Sequence, residues 1–310
     1  MNDLPWLLPA NCCPVVPLTF LKAGLIFELV DISTANLCIS EELLLRKIKE
    51  QVFAGIVFVD TYGSPQSVNE LFMKIKQLSP ECLIVHDKCL SKPTKDHCEA
   101  ADTTLYSTGY AKYIDLHEGG YAFVREKMNF IKQKPLPFSS EKMKEQEVAY
   151  KKAFEKSTKF HYKDSDWLNN SSLSFTAEEY FSRIAKQLEP TETHKKKINS
   201  IYNAGIPKEI QLKTDFQSWR FNILVSEKDL LLKTIFSEGL FASSHYQSLG
   251  GIFSEQKCPI ADALHSSIVN LFNDFHITED QAEEIAVIVK DHFKKYGPSK
   301  MAGTFNTVLS

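Results

Sequence analysis

Between Leu25 and Cys89, three apolar strand-like runs are separated by two amphipathic helical segments. This alternation narrows the possible folds more than any other feature of the chain. The first run is "LIFELVDI" (Leu25 to Ile32), after which Ser40 is placed to cap the helix "EELLLRKIKEQ", whose apolar residues recur at helical spacing. "AGIVFVDTYG" (Ala54 to Gly63) reads as a buried strand ending in a polar turn. The helix "VNELFMKIKQL" (Val68 to Leu78) and the strand "CLIVHDKC" (Cys82 to Cys89) follow, and "TTLYST" and "GYAFV" add two more strands. Strands alternating with helices predict an α/β layer with a mostly parallel sheet and right-handed crossovers. Such sheets bind ligands at the carboxyl ends of their strands, where Asp60, Asp87 and Ser107 fall.

From about residue 126 to residue 170 the chain is rich in lysine and polar residues and has no buried-strand pattern. Two helical patterns come next, "TAEEYFSRIAKQLE" and "TETHKKKINSIYNAG", the second ending at Gly205 as a C-cap. A second mixed unit contains the strand "WRFNILV", the helix "EKDLLLKTIFSEG", the short strand "FASSHY" and a closing helix capped by Thr278 and ending near Gly297. The expected division is a large α/β domain (residues 1–130), a helical connection (131–205) and a small C-terminal α+β domain (206–310).

A net charge of −3 gives no footprint for nucleic acid or an anionic membrane, and no apolar run is long enough to span a bilayer. The basic cluster "HKKKIN" reads as a solvated helix face. The N-terminal stretch is apolar but carries Asp3 and repeated prolines instead of a basic leader, so it makes a poor signal peptide. Seven cysteines without paired CxxC motifs point to reduced thiols and a cytoplasmic setting. His86, Asp87, Cys89, His97 and Cys98 match no standard zinc spacing, so no metal site is expected.

One lysine remains to be explained. In "LYSTGYAKYIDLHEGGYAFV", Lys112 sits between a Ser-Thr-Gly turn and a Gly-Gly pair, flanked by strand-like residues. It is either an ordinary surface residue or a buried amine with chemistry to perform.

Taken in order, these segments resemble the DegT/DnrJ/EryC1/StrS sugar aminotransferases, pyridoxal-phosphate enzymes with the aspartate aminotransferase fold. "VPLTFLKAGLIFELVDISTANLCI" is similar to the family's helix-to-strand stretch, and "VFVDTYGSPQSVNEL" to its strand and Tyr-Gly-x-Pro turn. "LIVHDKC" resembles its strand ending in aspartate, and "YSTGYAKYIDLHEGGYAFV" its serine, lysine and Gly-Gly strand start. "SSHYQSL" and the stretch from Cys258 to Lys290 resemble its C-terminal domain. The resemblance implies that Lys112 is the Schiff-base lysine and that Asp87 pairs with the cofactor's pyridine nitrogen. It also implies that Ser107 donates to the cofactor phosphate and that Asn170 reaches that phosphate from the other subunit of a dimer. His245 and Tyr246 match a His-Tyr loop near the family's active site; packing within a small domain would explain them equally well. The implied substrates are a nucleotide-linked keto-sugar and an amino-acid donor such as glutamate. The family's dehydratase branch carries histidine at the lysine position, and Lys112 argues against that branch.

The chain also departs from the family pattern. The resemblance places its start after the family's Gly-Thr/Ser phosphate cradle, Cys13 stands where an aromatic residue stacks on the cofactor, Leu90 replaces a glutamine, and Ser172 replaces an arginine. Losing charge-assisted bonds of about 1.5–3 kcal/mol each would weaken cofactor binding. The expectation is therefore a homodimer, or a heterodimer with a chain that supplies the cradle. The alternative is a catalytically silent or split member of the fold acting as an assembly partner. The apolar start "LPWLLPANCCPVV" is expected to form an exposed face that marks an interface.

Overall fold

The computed structural model describes residues 3–126, 128, 131, 134–171, 173 and 175–307. Its first part contains β1 (Trp6–Pro9), α1 (Val15–Lys22), β2 (Phe27–Val30), α2 (Glu41–Glu50) and β3 (Gly55–Val59). It continues with α3 (Asn69–Leu78), β4 (Leu83–Asp87), β5 (Thr103–Ser107) and β6 (Gly120–Val124). These strands form one six-stranded sheet in the order β2-β1-β3-β4-β5-β6. All neighbours are parallel except β5 and β6, which are antiparallel. The predicted mostly parallel α/β layer is therefore present.

Local chemistry accounts for the helices on this sheet. Ser40 Oγ accepts from the Leu43 amide at the start of α2, with Glu41 and Glu42 in the first turn and Lys47 and Lys49 in the last. Both charge placements favour the helix dipole. Leu44 and Ile48 of α2 and Leu71, Phe72 and Ile75 of α3 then pack on Ile56, Phe58 and Ile84 of the sheet.

The apolar N-terminus is a correction to the sequence reading. It forms β1, paired on both sides between β2 and β3, and Leu7 and Leu8 are fully buried. The strand has only four residues, preceded by Pro5 and ending on Pro9, which hid an interior strand behind turn-like residues. A stretch buried in the sheet centre offers no interface of its own.

After the sheet come α4 (Ser140–Glu155), α5 (Ala177–Gly205), β7 (Phe221–Leu224), α6 (Lys228–Ser237) and β8 (Ala242–Ser243). The chain continues through α7 (Pro259–His265), β9 (Ile268–Leu271), α8 (Glu279–Tyr296) and α9 (Lys300–Thr307). Strands β7, β9 and β8 form a small antiparallel sheet. It shares a core with α5, α6 and α8. A further cluster joins Leu8, Val57 and Val59 of the large sheet to Trp219, Leu224, Leu264 and Ile268. The C-terminal segments thus close the sheet face that α2 and α3 leave open.

Two helical details differ from expectation. The patterns read as separate helices form one, α5, which continues through Pro190. An interior proline costs about 3 kcal/mol. It is tolerated here because buried residues anchor the helix on both sides of it, Tyr180 and Ile184 before and Thr191, Lys195, Ile198 and Tyr202 after, and a Thr176–Glu179 capping box secures the start. Gly205 is not a left-handed cap but the last helical residue, and an added Cβ would lie 2.8 Å from Ala286 Cβ on α8. Its role is close helix approach. Gly205→Ala gains at most about 1 kcal/mol of helix propensity and incurs about 1–3 kcal/mol of overpacking. We expect a net loss of about 1 kcal/mol in denaturant unfolding. The Thr278 and Gly297 ends of α8 are as predicted, with a capping box to Gln281 and a positive φ of 70° at Gly297.

Candidate functional site

The site is built on the carboxyl ends of β4 and β5. Along β4 successive side chains point to opposite faces, and that alternation separates His86 from Asp87. His86 is buried and its Nε2 lies 2.7 Å from Asp60 Oδ1. Asp87 ends the strand on the opposite face, partly buried, and its Oδ1 accepts from the Cys89 amide at 2.9 Å. Asp60, for its part, is turned into the core against His86 and Ser91.

Beyond β5, residues 108–119 carry Lys112. The Lys112 amide donates to the Gly109 carbonyl at 3.2 Å and the Leu116 amide to Thr108 at 2.9 Å. Asp115 braces this turn by accepting from the amides of Ala111 at 2.6 Å and His117 at 2.8 Å. The Lys112 side chain is partly buried. It lines a cavity of about 210 Å³ together with Tyr113, Thr191, Asp274 and Phe275.

Thiols report how Asp87 and Lys112 are placed. Burial pushes the Cys13 thiol up, while the Val15 amide and the Lys112 charge pull it down and Asp87 pushes it up. Cys89 is pushed well up by burial and by Asp87, again with Lys112 opposing. A carboxylate and an amine that act on the same two side chains share one small region. Tyr246 belongs to it as well, its phenol raised by burial and by the charges of Cys13 and Asp87. Helix α4 closes one side: burial raises Tyr150 to about 12, and Cys13 adds to that rise.

Ser107 ends β5 opposite Gly120. Its hydroxyl accepts from the Gly109 amide at 3.3 Å and reaches the Gly119 carbonyl at 3.5 Å, so it is satisfied within its own turn. Asn170 is half-buried, and its side-chain amide binds the backbone of Leu136 at 2.6 Å and Lys134 at 3.0 Å. Asp87 ends β4 and Lys112 follows β5, the neighbouring parallel strand, so both stand at the carboxyl edge of the sheet, while Ser107 and Asn170 are engaged locally. Leu90 is buried, with its carbonyl against Gly63, and Ser172 lies outside the described residues. His245 and Tyr246 do reach the site, where the Tyr62 hydroxyl donates to the His245 carbonyl at 2.8 Å.

Sequence reading missed several residues here. Lys195 is 4% exposed, and its Nζ donates to the Trp219 carbonyl at 2.8 Å and to Asn273 Oδ1 at 2.7 Å. It sits in "HKKKIN", where composition suggested a solvated face; only the α5 stripe, at positions 191, 195 and 198, could have singled it out. Burial lowers Lys195 to about 7. The folded chain then binds fewer protons than the unfolded one from about pH 7 up to the ordinary lysine range, so stability rises with pH there. At a limiting slope of about 1.36 kcal/mol per pH unit, we expect about 1–2 kcal/mol more stability at about pH 8.5 than at about pH 7. Buried Cys38 and Cys258, both raised to about 12, reverse the trend at higher pH. Urea unfolding of parent and Lys195→Met checks this: the rise should be absent from the variant, which keeps only the fall that the raised thiols cause in both proteins.

No known family profile and no curated protein sequence matches this chain. Solved structures do. Spr1654 of Streptococcus pneumoniae, described as a sugar aminotransferase and solved in its PMP form, superposes with a TM-score of 0.64 at 16% identity, over 95% of this chain and 84% of that one. A DegT DnrJ EryC1 StrS aminotransferase from Brucella abortus gives 0.63 at 17% identity, over 94% of this chain and 80% of that one. A GDP-4-keto-6-deoxymannose-3-dehydratase, ColD, gives 0.58 at 15% identity, over 92% and 80%. At such identities the likeness defines architecture alone: this chain has the fold of the sugar aminotransferases.

Proposed function

We propose that the chain is a pyridoxal-phosphate-dependent aminotransferase that moves an amino group from an amino acid such as glutamate to a nucleotide-linked keto-sugar. The observation that carries this reading is that Asp87 ends β4 and Lys112 follows β5, its parallel neighbour, at the same edge of the sheet, with Lys112 lining a cavity. A carboxylate and a primary amine in one partly buried region, beside the Tyr246 ring, form a donor set that fits the cofactor.

Bound there, pyridoxal phosphate would supply an electron sink that takes up the donor's amino group and releases it to the ketone. Asp87 would hold a proton on the pyridine nitrogen by charge. Lys112 Nζ would bind the cofactor and, once free, carry the proton to and from the reacting carbon. Tyr62 and Tyr246 would exclude water from one side. The 210 Å³ cavity beside Lys112 would receive part of the substrate. The fold is shared with a dehydratase, so the presence of lysine at position 112 is what favours amino transfer. By the same resemblance we place the protein as a dimer in the cytoplasm, with the division at residues 130 and 205 as its domain boundaries.

One observation favours a second reading, a catalytically silent member of the fold serving as an assembly partner. Ser107 and Asn170, the residues expected at the phosphate, are both engaged within their own chain. One experiment separates the two. The protein is incubated with pyridoxal phosphate, reduced with borohydride and mapped by mass spectrometry. Label concentrated on Lys112 supports the enzyme, and label spread over surface lysines refutes it.

A further inference from the structure

Ala111, the residue before Lys112, has φ +55°, a left-handed conformation that an L-residue with a Cβ ordinarily avoids. Two bonds hold it there. Its amide donates to Asp115 Oδ2 at 2.6 Å, and its carbonyl accepts from the indole N–H of Trp219 at 2.7 Å. The first bond is local. The second comes from a residue 108 positions further along the chain.

Trp219 is well placed to act as a fixed donor. It is 3% exposed and lies parallel to two tyrosine rings, Tyr62 at 6.4 Å and 2° and Tyr246 at 6.4 Å and 6°. The Arg220 guanidinium sits over its ring at 4.4 Å, and Lys195 holds its carbonyl at 2.8 Å. An indole packed this way has little freedom to turn. An indole nitrogen is a donor only, so this bond has one direction. Without it, Ala111 would relax toward negative φ, and the Cα–Cβ vector of Lys112 would swing with the peptide.

We propose that Trp219 is a positioning residue for Lys112, its indole N–H fixing the left-handed turn that sets Lys112 on the wall of its cavity. The role of Lys112 in this statement rests on the function proposed above. The ring stack couples the end of β3, the segment before β7 and the 245–246 loop to one carbonyl beside the amine. Trp219 touches no reacting atom in this account and acts through the backbone.

The test uses Trp219→Phe, which keeps a ring in the stack and removes the donor. Hydrogen exchange followed by mass spectrometry reads the turn without any cofactor. Exchange in residues 109–116 should accelerate about fivefold to tenfold, the range expected for one lost hydrogen bond, while β3 and α8 keep the parent rate. Reductive trapping of pyridoxal phosphate on Lys112 should fall by a similar factor, with surface lysines unchanged. Adding Ala111→Gly should restore most of the trapping, because glycine adopts positive φ without steric penalty. Exchange and trapping both within about twofold of the parent overturn the proposal. If Trp219→Phe does not fold, the parent's indole resonances decide: reductive modification of Lys112 should shift the Trp219 signal and leave Trp6 and Trp167 in place, and an unmoved Trp219 signal overturns it. Loosened exchange in the variant beside a parent that takes no label at Lys112 would sink the cofactor reading and leave the positioning role standing.

Discussion

Lys112→Ala should abolish amino transfer and leave the fold unchanged. The side chain forms no hydrogen bond or ion pair among the described residues and is only partly buried, so truncation should leave the unfolding midpoint close to the parent's. Its chemistry has no substitute nearby. Lys195 is held by Trp219 and Asn273, and Lys228 is bonded to Ser244 and His265. A positioned acid–base group contributes about 10²–10⁴ in rate, and losing the amine that also binds the cofactor should place the variant below that range. Stopped turnover assays and borohydride mapping are the measurements. Activity within a few-fold of the parent would remove Lys112 from the mechanism.

Asp87→Asn should weaken cofactor binding by about ten- to a hundredfold, because a hydrogen bond to a charged group contributes about 1.5–3 kcal/mol. The substitution is close to isosteric, and the asparagine Oδ1 can still accept from the Cys89 amide, so the end of β4 should keep its shape. What is lost is the negative charge beside Cys13, Cys89 and Tyr246. A cofactor titration that gives the parent affinity, with unchanged turnover, would reduce Asp87 to a strand-end residue that orders its own turn.

The large sheet was legible because its signals are local. Five of its six strands stand out as short strand-like runs bounded by turns, and the α2 helix carries its own cap and charge pattern. Asp87 and Lys112 could be singled out because each sits at a strand end or beside a glycine turn in a recognisable order. The rest depends on contacts that no short window contains. β1 is four residues that follow one proline and end on another, and it becomes an interior strand only through its two neighbours. Gly205 looks like a cap until Ala286 is placed against it. Trp219 reads as the start of a strand, and nothing around it in sequence indicates that its indole reaches Ala111. Lys195 was hidden for the opposite reason, because a basic run masks one residue that faces inward.

The cluster that joins Leu8 and Val57 to Leu264, Ile268 and Met301 has a consequence for biosynthesis. The ribosome delivers the large sheet first and the segments that cover its second face last. Until residues 212–302 have emerged, that apolar face of the six-stranded sheet is covered only in part, by residues such as Phe20 of α1, Leu37, Tyr62 and Phe154 of α4. Such exposure is what makes nascent intermediates prone to aggregation and chaperone capture. Contacts this distant in sequence also slow the final collapse. Maturation of this protein is therefore gated by completion of its C-terminal third, and a chain released early would leave that sheet face open to non-native association.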